Sequence, residues 1–394
     1  MKKVLVPRVR FKGFDEEWKE EKIESFSKIT IGEFVIKTKQ NDFYEYPVYN
    51  GGITNTGFYK EYNNEGNKII VSARGANAGH INFIEKKYWA GNSCYSIDLI
   101  SNRQRDIKFI FYSMLINKNK FDDNKQVGTI PSVSLEDVRN FIIYFASYSE
   151  QQKIGKLLDQ ISNLITLEQS KLNKLKQLKE TLLQKMFPEG NSKTPRIRFK
   201  GFEGEWKEER LENIYSFASE GGTPDTNKDI YYKPGLFYFT KIEDMANKYI
   251  SHTKAKISEL GLKNSSAWII PKNNILFSNG ATIGNVSINK VDLSTKQGIV
   301  GMIIKKKFNL EFIYYLLKSQ TFQSKVAEKI TVGTIPTVAI FNLKKIELFL
   351  TTKSIEQQKI GDFFSKIDNL ISLYHSKLNK LKQIKDALLQ KMFI

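Results

Sequence analysis

Two glycine-containing loops hold the side chains best suited to chemistry at a surface. The segments 72–77 (Ser-Ala-Arg-Gly-Ala-Asn) and 278–282 (Ser-Asn-Gly-Ala-Thr) each follow a predicted strand. Glycine lets backbone amides approach a phosphate, and in the major groove arginine can bind guanine and asparagine can bind adenine. The same glycines would also suit a tight turn with no further role, so both interpretations stay open. The candidate nucleic-acid contacts here are Arg74, Gly75, Asn77, Asn279 and Thr282.

A second pair of loops offers polar groups of the same kind. These are the segments 126–129 (Gln-Val-Gly-Thr) and 331–334 (Thr-Val-Gly-Thr). Several lysines, including Lys248, could contact phosphate, although most surface lysines are simply solvated. The further candidate DNA-binding residues are Gln126, Gly128, Thr129, Thr223, Lys241, Gly333 and Thr334.

Residue types that support catalysis are sparse. Three histidines lie far apart and Cys94 is the only cysteine, so the familiar zinc-ligand spacings are absent. The sequence has no Gly-Lys-Ser/Thr nucleotide loop and no Asn-Pro-Pro-aromatic tetrapeptide of an amino-methylating DNA enzyme. Asp225 and Asp229 faintly suggest a nuclease carboxylate cluster, but no acidic strand accompanies them. We therefore predict no catalytic residue, no metal site and no cofactor in this chain.

The charge balance favours a polyanionic partner. The 394 residues include 61 Lys and Arg against 42 Asp and Glu, a formal net charge of +19. Phosphate contacts release condensed counterions, so such a surplus favours nucleic acid, although a generally lysine-rich proteome would give the same excess. A single cysteine fits a reducing compartment, and no apolar stretch approaches the length of a membrane span. We expect a soluble, cytoplasmic protein with no membrane contact.

An internal duplication dominates the sequence. The segment 7–14, Pro-Arg-Val-Arg-Phe-Lys-Gly-Phe, returns at 195–202 with one substitution, Val to Ile. The segment 150–155, Glu-Gln-Gln-Lys-Ile-Gly, returns unchanged at 356–361, and most positions up to 187 match their counterparts up to 393. The residues between these blocks diverge, apart from short islands. Each copy thus has repeated segments at its two ends and a divergent segment, here called its middle, between them. This pattern indicates a shared structural frame that carries two different specificities.

Each copy ends in a long predicted helix. In 150–187 and in the second copy, apolar residues recur every three or four positions, although Glu168 interrupts the first stripe. A helix of this length spans roughly 57 Å, and its apolar stripe needs a partner. Two equivalent units favour two-fold symmetry, which makes the helices antiparallel. The alternative is that each helix packs on its own globule.

The two middles have the patterns of mixed α/β domains. Predicted strands in the first are 46–49, 68–72, 80–84, 95–100 and 141–145, with a helix at 106–117. Those in the second are 236–240, 274–278, 286–288, 299–304 and 346–350, with one amphipathic helix at 310–329. The predicted architecture is α/β: two mixed α/β domains, separated by an antiparallel pair of long α-helices in a coiled-coil spacer, with pseudo-two-fold symmetry. The predicted boundaries are 1–148, 149–187, 188–354 and 355–394.

The chain resembles the specificity subunit of type I restriction-modification systems along essentially its whole length. The resemblance rests on the doubled Pro-Arg-x-Arg-Phe-Lys-Gly-Phe opening followed by Trp, the doubled Glu-Gln-Gln-Lys-Ile-Gly, and the Leu-Leu-Gln-Lys-Met-Phe helix ends. The segments 221–224 (Gly-Gly-Thr-Pro) and 275–278 also look like this family's target-recognition domains. In the first copy the nearest match to Gly-Gly-Thr-Pro is Ile-Gly-Glu at 31–33, which leaves the strand pairing there open.

The resemblance implies a non-catalytic subunit that acts in phage defence. Each globule would bind one half of a split double-stranded DNA target, and the helices would set the gap between the halves. Two methyltransferase subunits would bring S-adenosylmethionine, and two restriction subunits would bring ATP and Mg²⁺. The alternatives are a stand-alone sequence-specific DNA-binding regulator and a self-sufficient nuclease or methyltransferase, against which the missing motifs argue.

Overall fold

The computed structural model describes residues 5–100, 104–123 (the backbone alone at 122 and 123), 130–331, 333 and 336–394. The chain forms two compact units, Met1–Ser170 with Ser376–Ile394, and Lys171–His375. Each unit therefore combines one divergent middle with parts of both long helices. The predicted domain boundaries, which keep each helix whole, remain a prediction.

The first unit is a mixed α/β domain. Its strands are β1 Lys19–Lys22, β2 Ser27–Ile31, β3 Tyr46–Tyr49, β4 Gly57–Tyr59, β5 Lys68–Ser72, β6 Ile81–Ile84, β7 Trp89–Ala90, β8 Cys94–Leu99 and β9 Ile142–Phe145; its helices are α1 Ile107–Ile116, α2 Asn119–Asp123, α3 Leu135–Arg139 and the beginning of α4 Tyr148–Lys185. The main sheet has the antiparallel order β2-β8-β5-β6. A smaller sheet has the order β4-β3-β7, and β1 pairs with β9.

The second unit repeats this plan. Its strands are β10 Lys207–Arg210, β11 Tyr215–Glu220, β12 Phe237–Thr240, β13 Tyr249–Ile250, β14 Lys256–Ile257, β15 Ile275–Ser278, β16 Val286–Asn289, β17 Leu293–Thr295, β18 Ile299–Ile304 and β19 Glu347–Leu350; its helices are α5 Glu259–Lys263, α6 Leu310–Lys318, α7 Gln320–Ala327, α8 Ile340–Lys344 and the beginning of α9 Ser354–Met392. The main sheet has the order β11-β18-β15-β16-β13, the smaller sheet β14-β12-β17, and β10 pairs with β19. The predicted strands are confirmed to within one residue at each end.

The single helix predicted at 310–329 is wrong. The chain forms α6 and α7, and Ser319 between them has an extended backbone with ψ of 149°. The Ser319 hydroxyl donates to the carbonyl of Leu316 at 2.6 Å and accepts from the amide of Phe322 at 3.4 Å. A serine that caps a new helix competes with continuation of the old one, which a pattern of apolar residues does not show.

The long helices are confirmed and pair antiparallel in each unit. In the first unit the core contains Ile154 and Leu158 near the start of α4 and Met392 at the end of α9. In the second, Met186 follows α4 while Ile360 lies near the start of α9. Each helix begins on its own domain and ends in the other unit. The helices therefore form the predicted antiparallel pair, and the first part of each also packs on its own domain, as the alternative had it.

The repeated Glu-Gln-Gln-Lys-Ile-Gly segment ties each helix to its own domain. Glu150 is fully buried and accepts two hydrogen bonds from the guanidinium of Arg10, at 2.9 and 2.7 Å. The Gln151 side chain accepts from the amide of Asp106 and donates to the carbonyl of Ala146. A Cβ at Gly155 would lie 2.5 Å from a carboxylate oxygen of Asp106, so only glycine fits there.

The second copy forms the same contacts. Arg198 binds the buried Glu356 at 2.6 and 2.9 Å. Gln357 accepts from the amide of Asn309 and donates to the carbonyl of Thr351. The duplication therefore preserves the joint between domain and helix.

An aromatic residue after each helix closes the core of the unit in which the helix ends. Phe393 packs edge-on against Trp18 at 6.2 Å between centroids and contacts Phe109 at 5.1 Å. Phe187 contacts Trp206 at 6.0 Å and Phe312 at 5.7 Å in the same way. The repeated tryptophans and the Met-Phe helix ends are therefore partners.

Candidate nucleic-acid interface

In the first unit four chain segments meet at one end of the sheets, an arrangement we call the loop frame. The amide of Gly32, after β2, donates to the carbonyl of Cys94 at 3.1 Å. The amide of Gly91, after β7, donates to Tyr49 at 2.7 Å, and that of Ala73, after β5, donates to Ser93 at 2.8 Å. The candidate loop at 72–77 thus lies beside the turn at 91–93.

The second unit has the same loop frame. The amide of Gly221 donates to Ile299 at 2.9 Å, that of Lys296 to Thr240 at 2.9 Å, and that of Asn279 to Gly298 at 3.0 Å. These bonds make Gly32 equivalent to Gly221, and the turn 91–93 equivalent to the turn 296–298. The two divergent domains therefore present different side chains on one backbone arrangement.

Close backbone approach explains the shared glycine of the frame. A Cβ at Gly32 would lie 2.2 Å from the carbonyl oxygen of Ala90, and one at Gly221 would lie 2.0 Å from that of Thr295. The strand pairing that the sequence left open is present, since Ile31 lies opposite Tyr95 in the β2–β8 register. The Ile-Gly-Glu segment of the first copy thus takes the place of Glu-Gly-Gly in the second.

The loops at 72–79 and 278–284 differ in length by one residue. Ser72 accepts from Gly79 through its carbonyl, and Ser278 accepts from Gly284. The loosely matching segments 75–79 (Gly-Ala-Asn-Ala-Gly) and 280–284 (Gly-Ala-Thr-Ile-Gly) would align Gly75 with Gly280, but the backbone pairing differs by one residue. Arg74 forms an isolated bridge with Ser132, and Gly280 forms the equivalent bridge with Thr337. An arginine in one unit therefore occupies the position of a glycine in the other.

The candidate residues of the first unit lie on this surface. Arg74 is exposed, while Gly75 and Asn77 are partly exposed. Gly75 has a φ of 95° and its amide donates to the carbonyl of Pro131 at 3.0 Å. The candidates Gln126, Gly128 and Thr129 lie outside the described residues.

The candidates of the second unit divide between surface and interior. Thr282 and Gly333 are exposed and Lys241 is partly exposed, whereas Asn279 is only 4% exposed. The side-chain nitrogen of Asn279 donates to the carbonyl of Val338 at 3.2 Å, so this side chain stabilises the loop from the interior of the domain. The candidate Thr334 lies outside the described residues.

A cleft of about 490 Å³ opens between the loops of the second unit. Its lining includes Thr223, Glu243, Lys296 and Gln297. The hydroxyl of Thr223 is buried and has no hydrogen-bond partner within the described part of the chain. Sequence reasoning found Thr223 but missed the other three.

A usable signal for Gln297 was present in the sequence. The offset that aligns Pro131 with Pro336 also aligns Asn92 with Gln297, one side-chain amide with another. Both residues come two positions after the end of a short strand, and the candidate loops also follow strands. No comparable signal marks Glu243 or Lys296.

Lys248, one of the lysines considered for phosphate contact, has a structural role instead. Its ammonium group donates to Tyr315 and lies 2.6 Å from Glu311, and it also donates to Ser365 of α9 at 3.0 Å. Burial lowers the pKa of Lys248 despite these partners. The residue ties the second domain to its helix.

Cys94, the one cysteine of the sequence, is buried and forms no disulfide. Burial raises the pKa of the Cys94 thiol to about 11, so the group is protonated at neutral pH. No group of three or more His, Cys, Asp or Glu side chains is placed to hold a metal ion in the ranges that the structure covers. None of the described helices is long and apolar enough to cross a membrane.

Comparison with protein families gives two matches along the chain. A model of the type I restriction modification DNA specificity domain matches residues 15–177 and 203–383. A type I restriction enzyme specificity subunit of Methanocaldococcus jannaschii is 32% identical over 193 residues, which are 48% of this chain and 44% of that relative. The match thus spans less than half of that relative's length. A type I specificity subunit of Mycoplasma genitalium is 21% identical over 95% of this chain and 94% of its own length.

Solved structures show the same fold. The S subunit of a type I restriction-modification system from M. genitalium superposes with a TM-score of 0.71 at 18% identity, covering 99% of each chain. A chain from a structure of type I restriction-modification complex assembly superposes with a TM-score of 0.54 at 15% identity, covering 96% of this chain and 98% of its own.

Proposed function

The chain belongs to the type I restriction-modification DNA specificity family, and we propose that each of its two domains binds one half of a split DNA target. The observation that carries the proposal is the loop frame, which occurs in both units with different side chains. A common backbone keeps each domain in one orientation towards DNA, because phosphate contacts position a protein while base contacts specify the sequence. The exchange of Arg74 for Gly280 gives the two halves different chemistry.

The long helices support a role as the spacer between the half-sites. Helices of 38 and 39 residues are about 57 Å long, which exceeds one turn of DNA at about 34 Å. Each helix is fixed to its own domain by a buried Arg–Glu pair and by the glutamine that follows the glutamate. A length change in the helices would therefore be transmitted to the domains.

The helices also have exposed apolar positions, which we assign to the docking of methyltransferase subunits. Leu164, Leu167 and Leu178 are 37%, 51% and 50% exposed, although leucine is usually buried. Their equivalents in the second copy, Leu370, Leu373 and Ile384, are 45%, 65% and 41% exposed. Two equivalent sets of apolar positions suit two copies of one partner that docks through an amphipathic helix.

The reaction chemistry is proposed to belong to partners. The methyltransferase subunits would supply S-adenosylmethionine, and two restriction subunits would supply ATP hydrolysis and Mg²⁺. This chain would contribute the choice of sequence.

Single-molecule methylome sequencing of cells with and without the gene tests the proposal. We expect deletion to abolish methylation at one split motif, with adenines methylated on opposite strands, and the plasmid-borne gene to restore it. If deletion removes no split motif, the proposal is wrong and a stand-alone DNA-binding regulator becomes the better explanation.

The docking assignment has its own test. Leu167→Glu with Leu373→Glu should reduce co-purification of the methyltransferase subunit at least tenfold, because each adds a charge to an apolar contact. Gln177→Glu with Gln383→Glu is the matched control, since both glutamines are exposed on the same helices and the added charge is equal. Equal recovery from both double variants would contradict the assignment.

A further inference from the structure

The turns 91–93 and 296–298 hold a side-chain amide at the same place in the two units. Asn92 is the middle residue of the turn that connects β7 of the smaller sheet to β8 of the main sheet, and Gln297 is the middle residue of the turn that connects β17 to β18 in the same way. Cys94 after the first turn lies opposite Ser72, and Ile299 after the second lies opposite Ser278. The two amides are therefore equivalent in position although their surroundings differ in sequence.

Turn geometry does not account for either residue. Asn92 and Gln297 do not have positive φ, a conformation that would favour asparagine at a turn. The side chain of Asn92 does not stabilise the turn through the amide of Ser93, because that amide donates to the side chain of Asn50 at 3.0 Å. Neither side chain forms a hydrogen bond with another described residue. Both groups are thus available to a ligand.

The side chain of Gln297 lies at a cleft that is open to solvent. Gln297 is exposed and lies on the cleft of the second unit, beside the exposed Lys296. A Cβ at Gly280 would lie 3.3 Å from the Cα of Gly298, so the two backbones are in contact with no side chain between them. The hydroxyl of Thr223 lies on the same cleft and lacks a partner within the described ranges.

We propose that Asn92 and Gln297 each contact the edge of one base, Asn92 in the first half-site and Gln297 in the second. This inference rests on the proposed function. A side-chain amide carries one donor and one acceptor group, which match N6 and N7 of adenine in the major groove. The cation beside each amide differs in position, because the first unit has Arg74 on the neighbouring loop and the second has Lys296 in the turn itself. Different neighbours give the two half-sites different sequences.

Reciprocal alanine variants of the complete complex test the inference by methylome sequencing. Asn92→Ala should relax one base pair of the first half-site and leave the second unchanged. Gln297→Ala should do the reverse. Loss of a bidentate base contact corresponds to roughly a 5- to 150-fold loss of discrimination at that base pair. Each variant is the matched control for the other.

Three outcomes are distinguishable. Relaxation in the expected half alone supports the inference, whereas two unchanged half-sites in both variants overturn it and leave the proposed function intact. If an alanine variant abolishes methylation, Asn92→Asp and Gln297→Glu replace it in the same test of half-site relaxation. Each keeps the shape of the original side chain and removes its NH2 donor. If the unaltered chain directs no split motif, the proposed function itself fails.

Discussion

At the scale of single residues, the buried carboxylate of Glu150 depends on one partner. The side chain of Glu150 is fully buried and that of Arg10 is 10% exposed, and the hydrogen bond between them raises the pKa of the guanidinium. Removal of one member of a buried ion pair leaves an uncompensated charge, which costs far more than the pair contributes. The repeated arginine is therefore essential to the joint between the first domain and α4.

Arg10→Ala should lower the free energy of unfolding by about 3 kcal/mol, because Glu150 would remain buried without its partner. Thermal unfolding followed by circular dichroism would show a lower Tm. Arg8→Ala is the control: Arg8 is exposed and lies two positions away, so its loss should change stability by under about 0.5 kcal/mol. Equal Tm values for the two variants would contradict the assigned role of the pair.

The Cys94 thiol should react slowly in the folded protein. Its pKa of about 11 compares with an ordinary value near 8.5, so at pH 8 the reactive thiolate is at least about 100-fold scarcer. Absorbance of released thionitrobenzoate measures the rate, and the same protein in guanidinium chloride gives the unfolded reference. A native rate equal to the unfolded rate would show that the thiol is not buried as described.

At the scale of elements, the sequence predicts best what local pattern determines. The helices α4 and α9 follow from a long apolar period, and the strand at 68–72 follows from a run of β-branched residues. Strand β1, with the sequence Lys-Glu-Glu-Lys, shows no such pattern and forms only because it pairs with β9 far along the chain. Its existence depends on a partner that local sequence does not reveal.

The candidate site shows the same division. The loop at 72–77 could be found from its residue types, because glycine and arginine have specific uses. The neighbouring turn at 91–93 is brought to it by hydrogen bonds such as that from Ala73 to Ser93, which join segments separated by strand β6. Burial of Asn279 also could not be predicted, since the residue forms hydrogen bonds with the backbone of Val338, which lies 59 positions later in the sequence.

Insertion of four residues after Ser170 should lengthen the gap between half-sites by about one to two base pairs, because one added helical turn is about 6 Å long. Methylome sequencing of the variant would give the new spacing. Four residues inserted after Asn191, in the non-helical segment that follows α4, should leave the spacing unchanged. An unaltered gap in the helix variant would contradict a spacer role.

At the scale of the whole molecule, the two units form the same contacts between domain and helix, although the sequences of their divergent middles differ. The buried pairs Arg10–Glu150 and Arg198–Glu356 are matched, as are the aromatic contacts of Phe393 and Phe187. Because these joints are the same, either domain should fit either place.

A chain in which residues 7–147 replace residues 195–353 should therefore fold and carry the first domain twice. Its target should be an inverted repeat of the first half-site, since two identical readers replace two different ones. Methylome sequencing of cells that express this chain in place of the original would identify the motif. A motif that retains the original second half-site would contradict the assignment of specificity to the divergent middles.

The position of Phe393 has a consequence for the nascent chain during translation. Trp18 and Phe109 lie in the first part of the sequence, yet the ring that packs against both belongs to Phe393, directly after α9. While the ribosome makes residues 171–388, the apolar side chains of Trp18 and Phe109 lack the ring of Phe393 that covers them in the folded chain. Exposed apolar surface of this kind promotes aggregation. A chain truncated before Phe393 would lack the ring that packs against Trp18 and Phe109, so we expect its first domain to aggregate more readily than that of the chain with Phe393.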